Sequence, residues 1–563
     1  MQVGGVILAR GRTRREVGTR LLVLLVISLL AFSTRLLPLA ISPNPFNNDG
    51  ITECRIASDI VASRHLEFPY GHSYSATHSL VTPAFDVLIA FLASFFGVSA
   101  FAVGQLLVAG LSVLTVACGY LVASRICGRV DGALMAVLFL SLFGTFVFVT
   151  GSVWKESLGV ALLVLLVYAF INRSQRRMLA VEIAILATLP IVHHLVTVIA
   201  LSALVFLTFW SVSLAILRKD IKRRHAIDIA VVVASIAYTY SYYSTRSLDA
   251  LSHVNSVADA IEVLAVFLLL CVVAVVVLSW TRHVKWTFAP VPGALFMLLF
   301  VWDFYDPLFP YDPGSPHYIL LLGASVAFLV SVAWYGFEKI LESRSRYRAV
   351  PLCLFMPALG VIAVSVLSGV NLKSFNILYR TMDFADISLA LGIAVAFSSL
   401  VPRIRLRKAL AVVLVVALIL TFPFSYATNV LAGMRHDTQD YEVDALGWIH
   451  SYGNESYVIL SDERLSYDAT ALYDYEKIAV LPGLIEDQIL PGQPAYNLLE
   501  EEWMTKGVNA YPQGHPVLNS TYVSQLLHAS DILYIGGPSG NHALVFCASS
   551  IGQSQTPELG TAG

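Results

Sequence analysis

The chain has 563 residues, of which 57% are hydrophobic and only 13% charged, against roughly 45–50% and 25% in soluble domains; its mean hydropathy is +0.72. This excludes a soluble globular enzyme. With 36 basic and 38 acidic residues the formal charge is −2, so no basic excess exists to hold nucleic acid.

The first apolar run, residues 21–39, follows a basic stretch (Arg10, Arg12, Arg14, Arg15, Arg20) and has no clear small-x-small cleavage site. It reads as a start-transfer anchor with a cytoplasmic N-terminus. Further apolar runs cover residues 101–124, 132–150, 157–171, 178–191, 195–217, 226–243, 261–280, 288–302, 318–336, 350–370, 381–400 and 410–426. With the first run they predict about 13 transmembrane helices. Residues 80–96 are also apolar enough to cross, and charge decides against it. Alternate loops carry Arg125 and Arg129; Arg173, Arg176 and Arg177; Arg218 to Arg224; Arg282 and Lys285; Lys339 to Arg348; and Arg403 to Lys408. The opposite loops hold only Lys155, Arg246, Lys373 and Arg380. The basic set belongs in the cytoplasm, which requires residues 80–96 to lie in the outer leaflet without crossing.

Everything after Tyr426 then falls outside, where the sequons at Asn454 and Asn519 agree. The predicted domains are residues 1–427, a transmembrane domain whose external loop 40–100 holds juxtamembrane helices, and 428–563, a small extracytoplasmic α/β domain. Within the latter the pattern predicts helices at 441–452 and 468–475 and strands at 457–460, 478–481, 532–535 and 543–547. The Gly-rich stretch 536–541 reads as a hairpin turn, because no Lys-Ser/Thr follows it. Of six cysteines, too few for a disulfide scaffold, only Cys54 and Cys547 are placed to meet outside.

Chemistry is expected on the external loops, where a charge at the membrane boundary is costly unless it has a partner or a task. The first loop reads Asn47-Asn-Asp49-Gly-Ile-Thr-Glu53-Cys-Arg55. Asp49 opens a helix-like stretch, as a plain helix cap would. The second loop contains Trp154-Lys155-Glu156: a stacking face, a cation and a carboxylate, or equally an interfacial Trp beside a snorkelling Lys. His193 and His194 are adjacent, so on a helix they diverge and do not form an i, i+4 metal pair. One of them can donate to a phosphate or acceptor, or cap a helix. The loop with Asp303, Tyr305, Asp306 and His317 combines acids and aromatics suited to sugar hydroxyls and faces, although Asp-Pro is also a turn signal. Arg380 opens the twelfth span and can grip phosphate through paired donors or bond Asp383.

An early external Asp opening a helix, a Pro-ended turn at Glu67-Phe68-Pro69, and an apolar non-crossing segment from Thr82-Pro83 to Phe95-Phe96-Gly97 resemble the first luminal loop of the GT-C superfamily of polyprenyl-phosphate-sugar glycosyltransferases. Gly119 to Arg129 is similar to the cytoplasmic turn after its second span. The chain departs from the pattern in lacking Glu directly after Asp49 and His-Pro-Pro before the juxtamembrane helix. The resemblance implies a GT-C-like polytopic α-helical fold and a catalytic role for Asp49, with Glu156 as an assisting carboxylate. It also implies donor-phosphate binding by Arg380, joined by Lys155, His193 and His194. Trp154, Asp303, Tyr305, Asp306 and His317 are the expected substrate-binding set. A divalent cation (Mg or Mn) has a candidate place at Asp49 and Glu156, and the resemblance makes no cofactor certain.

The expected function is transfer of a sugar from a lipid-linked donor to a glycan, lipid or protein acceptor at the outer face of the plasma membrane, among membrane lipids and with no nucleic-acid partner. The rivals are a polysaccharide polymerase or ligase, and a lipid-linked glycan flippase. The flippase predicts repeated halves and mid-span charges, which the sequence lacks.

Overall fold

The computed structural model describes residues 14–40, 42–66, 81–217, 219–245, 288–305, 319–343, 349–367, 372–399, 404–426, 437–475, 478–480, 495–504, 524, 531–537 and 543–548. Its membrane part begins with α1 (Arg14–Leu36), α2 (Asn48–Ser63), α3 (Ala84–Phe96), α4 (Ala100–Cys127), α5 (Val130–Leu142), α6 (Gly144–Gly151) and α7 (Lys155–Asn172). It continues with α8 (Arg176–Val192), α9 (His194–Leu217), α10 (Arg223–Thr245), α11 (Pro290–Tyr305) and α12 (Ile319–Ser343), then α13 (Val350–Leu367), α14 (Leu372–Ser399) and α15 (Ile404–Thr421).

Among the described residues, 8 helices are long and apolar enough to cross a membrane, or 9 if the bent pair α5–α6 is one span. The expected run 261–280 lies outside the described residues. Runs 178–191, 288–302 and 350–370 coincide with α8, α11 and α13, which fall short of that standard. Helix α3 spans 13 residues, about 20 Å at 1.5 Å per residue, against a hydrocarbon core of about 30 Å. It buries Phe85, Asp86, Ile89, Ala90 and Ala93 and leaves Phe91, Phe95 and Phe96 exposed, the two-sided pattern of a helix lying along a membrane surface.

The bend between α5 and α6 is 63°, and a break of this kind strips carbonyls of their i+4 donors. Arg35, 1% exposed, supplies replacements. Its guanidinium donates to Leu140 O at 2.8 Å, to Ser141 O at 2.9 Å and to the Thr150 hydroxyl at 2.8 Å. The freed Gly144 N–H donates to Thr421 Oγ1 at 3.3 Å. Helix α14 is buried along most of its length from Arg380 to Ser399. It meets α12 where Gly336 faces Gly392. A Cβ on Gly336 would sit 1.9 Å from Gly392 O, so only glycine permits this approach.

The C-terminal part forms α16 (Asp440–Tyr452), β1 (Val458–Ser461), α17 (Glu463–Tyr473), β2 (Ile478–Val480), β3 (Ala495–Glu500), β4 (Asp531–Gly536) and β5 (Ala543–Ala548). The strand order is β2-β1-β3-β5-β4. β1 is parallel to β2 and β3, while β5 is antiparallel to β3 and β4. The β4–β5 pairing, Gly536 opposite Ala543, agrees with the expected hairpin. Helix α17 starts earlier than the expected 468–475, because Asp462 caps it by accepting the Leu465 N–H at 2.7 Å. The central strand β3 is absent from the sequence reading. It is buried along its whole length, so it lacks the alternation that marks a half-exposed strand.

Glu500 on β3 and Glu442 on α16 converge on Arg464 of α17, which donates to Glu442 at 2.6 and 2.9 Å and to Glu500 at 2.7 Å. All three are fully buried. Arg464→Ala would strand two carboxylates in the interior and is expected to cost about 3–5 kcal/mol, read as accelerated hydrogen exchange in β1 and α17. Asp468 faces the same cluster, with Arg464, Glu442 and Asp462 around it. Burial raises its carboxyl to about 7, against the opposing pull of Arg464 and of the Thr438 hydroxyl. A carboxyl raised on folding favours the native state at low pH. Its contribution is fully present below the ordinary carboxylate value and is lost as pH rises through about 7. Asp468→Asn is therefore expected to flatten the fall in thermal stability between pH 4 and about 7, measured by melting at a pH series.

Candidate functional site

The loop before α2 and the loop before α7 are stitched into one surface. Val153 N–H donates to Phe46 O at 2.9 Å. The buried Gln105 of α4 accepts from Phe46 N–H at 3.2 Å and donates to Gly151 O at 2.9 Å and Arg35 O at 2.6 Å. Gly50 closes the seam, since a Cβ there would stand 3.0 Å from Val153 Cβ. Neither Arg35 nor Gln105 figures in the sequence reading. Both look like stray polar residues in apolar runs, and only helix packing supplies their partners.

Asp49 sits in the first turn of α2. Asn47 caps that turn by accepting the Asp49 N–H at 2.9 Å, at a φ of 99° that side chains other than glycine rarely adopt. Arg380 of α14 reaches Asp49 across 331 residues of chain, Nη2 to Oδ2 at 3.5 Å. The two side chains stay 29% and 41% exposed, so the pair opens onto solvent while its surroundings are dry.

Trp154 corrects the expectation of a sugar-stacking face. It is buried against Phe46, Phe148 and Val149, and its indole N–H donates to Val149 O at 2.7 Å. The Arg380 guanidinium lies over its ring at 5.4 Å from the centroid, a cation–π contact that orients the cation. Lys155 is also placed differently from expectation. It points between α2 and α3, with Nζ 3.6 Å from Glu53 Oε2, 3.3 Å from Asp86 Oδ2 and 3.2 Å from Thr82 Oγ1. All four residues are buried. Burial, with the Asp86 charge beside it, pushes the Glu53 carboxyl well above the usual range, against the pull of Lys155. One lysine between two buried carboxylates is a structural lock that fixes α2 to α3 and α7.

Glu156 is buried in the first turn of α7, within electrostatic reach of Arg380 and Asp49. Among the described residues neither of its carboxylate oxygens has a hydrogen-bond partner, and His193 Nε2 lies 3.9 Å from Oε1. The two histidines do not diverge. His193 breaks the α8–α9 path in extended conformation, φ −163°, so its ring stacks on His194 at 4.7 Å. Asp383 and Asp386, one and two turns beyond Arg380, are buried. Asp383 Oδ1 accepts the Phe384 N–H at 2.7 Å and Asp386 Oδ2 accepts the Thr145 hydroxyl at 2.7 Å.

Asp303 and the exposed Tyr305 end α11, which packs on α12, while Asp306 and His317 lie outside the described residues. Cys54 is a buried free thiol. Among the described residues no three of His, Cys, Asp and Glu are grouped to hold a metal ion.

No protein-family model and no curated protein matches the sequence. Solved structures do. The oligosaccharyltransferase AglB of Archaeoglobus fulgidus, in complex with an inhibitory peptide and dolichol-phosphate, superposes with a TM-score of 0.53 at 14% identity over 97% of this chain and 76% of that one. The same organism's oligosaccharyltransferase in the apo form gives 0.50 at 14% identity over 82% and 64%. The mycobacterial arabinofuranosyltransferase AftD gives 0.51 at 15% identity over 96% of this chain and 40% of that one. The chain thus spans 64% of the length of one of these structures and 40% of another. The likeness is one of fold.

Proposed function

We propose that this chain, which carries the GT-C fold, transfers a sugar from a polyprenyl-phosphate-linked donor to an acceptor at the extracytoplasmic face. The observation that carries the reading is the pairing of a half-buried carboxylate with a half-buried guanidinium, Asp49 with Arg380 at 3.5 Å. The reaction asks for those two groups side by side. As the acceptor oxygen bonds to the anomeric carbon, its proton passes to the Asp49 carboxylate. The anomeric carbon–oxygen bond breaks, and the electron pair leaves with the polyprenyl phosphate, whose growing charge falls to Arg380.

The unliganded pair serves both partners. A phosphate competes for the guanidinium, and its arrival releases Asp49 to act as base. Trp154 holds the Arg380 fork in orientation. Neighbours of the same fold support the choice of donor, since AglB was solved with dolichol-phosphate and AftD is an arabinofuranosyltransferase.

The test is the protein in lipid nanodiscs, given radiolabelled polyprenyl-phosphate and polyprenyl-diphosphate sugars with glycan, lipid and peptide acceptors. Label is expected to move from a lipid-linked donor and not from a nucleotide sugar. Transfer from nucleotide sugars alone, or from no lipid-linked donor, would overturn the proposal.

A further inference from the structure

We propose that the C-terminal α/β unit positions Asp49 by gripping its helix on both sides, with Arg55 as the positioning residue. The proposal rests on the reading of Asp49 as the base and adds a task for the C-terminal unit. Upstream of Asp49, the Ser42 hydroxyl donates to Thr438 O at 3.0 Å, and Asn44 Nδ2 donates to Thr438 O at 3.3 Å and to Asp440 Oδ1 at 3.4 Å. Downstream, Arg55 of α2 reaches the end of α17. Nη1 donates to Leu472 O at 3.2 Å and Ala471 O at 3.4 Å, and Nη2 donates to the Asp474 carboxylate at 3.0 Å.

These are the open carbonyls of a helix C-terminus, where a cation is favoured by the aligned peptide dipoles. Asp59, one turn further along α2, accepts from Arg55 Nε at 3.2 Å and fixes the fork's direction. The upstream grip is anchored from behind. The Thr438 hydroxyl donates to Asp468 at 2.8 Å, and Asp437 O accepts from Arg464 at 3.2 Å. The upstream grip thus leads into the buried charged cluster, and the downstream grip ends on α17, the helix that carries Arg464 and Asp468.

Asp49 lies between the two grips, about 9 Å along the helix axis from Arg55. On its membrane side α2 meets its neighbours through the apolar packing of Cys54 and Ala57 with Phe85 and Ala90 and through the Lys155 bridge from Glu53 to Asp86. That bridge holds one point along α2, so loss of a grip leaves an end of the helix free to tilt about it, and tilting would swing Asp49 away from Arg380. The Arg55–Asp474 pair is itself too exposed, at 63% for Asp474, to contribute much stability. Its worth is geometric.

The experiment uses the full chain in nanodiscs with the radiolabelled lipid-linked donor, comparing Arg55→Ala, Arg55→Lys and the pair Ser42→Ala/Asn44→Ala. Spin labels carried by unnatural amino acids at the exposed positions 61 and 452 report the distance from α2 to α16. Arg55→Ala is expected to lower kcat by about 10-fold or more, since a 1 Å misplacement can cost about 10²-fold. Its donor KM stays unchanged, Arg55→Lys recovers part of the loss, and the spin–spin distance distribution broadens. The Ser42/Asn44 variant should behave the same way if Arg55→Ala fails to fold. Unchanged kcat, or lost kcat with an unbroadened distribution, overturns the proposal. If the native chain transfers no sugar, the distance distributions alone decide: broadening supports the grip and an unchanged width refutes it.

Discussion

Asp49→Asn is expected to lower kcat for sugar transfer by about 10²–10⁴-fold, the usual share of a positioned general base, with little change in donor KM. The substitution keeps size and shape, and Asn47 still caps the helix through the backbone N–H of residue 49. Loss of the negative charge from the first turn of α2 costs only about 0.3–1 kcal/mol of stability. Folding and activity should therefore separate cleanly. Asp49→Glu retains a carboxylate but displaces it, and should fall between the native chain and Asn. Rates close to native for the Asn variant in the radiolabelled assay would remove Asp49 from the chemistry.

Arg380→Ala is the second large effect, with an expected loss of about 10²–10³-fold in kcat, as for removal of one preorganised stabiliser of developing charge. Here donor KM should rise as well, because the guanidinium contacts the phosphate in ground and transition states alike. Arg380→Lys should recover only part of the loss. It restores the charge but not the planar fork, and an ammonium does not lie flat on Trp154 as a guanidinium does. The ring beneath Arg380, 5.4 Å from the guanidinium carbon, predicts that Trp154→Leu shifts donor KM in the same direction by a smaller factor. A donor KM indifferent to all three substitutions would place the phosphate elsewhere.

The residues that meet at the mouth of the site were legible one by one in the sequence. In the sequence Asp49 and Arg380 stand as charges beside apolar runs, and the asymmetry of Lys and Arg between alternate loops predicts the same side for both. Their distance was not legible, because 331 residues intervene and only the crossing of α14 under the first two loops closes the gap. The direction of a side chain at a helix start was equally hidden. Trp154, Lys155 and Glu156 are consecutive, yet the first lies under Arg380, the second points to Asp86 and the third faces His193. Consecutive residues at a helix N-terminus fan out by about 100° each, so one motif serves three purposes. Buried polar residues doing structural work, such as Arg35, Gln105 and Asp86, carry no local signal, since each bonds to a partner on another helix. In the C-terminal unit the helices and outer strands follow from periodicity, while β3, buried on both faces, gives no period to read.

A double-mutant cycle on kcat/KM with Asp49→Asn, Arg380→Ala and the two combined tests most directly whether these groups serve one transition state at one site. Side chains 3.5 Å apart that serve the same transition state should be strongly coupled, and the combined variant is predicted to lose no more than about 10-fold beyond the worse single variant. Losses that multiply in full, with a coupling energy under about 0.5 kcal/mol, would contradict the account.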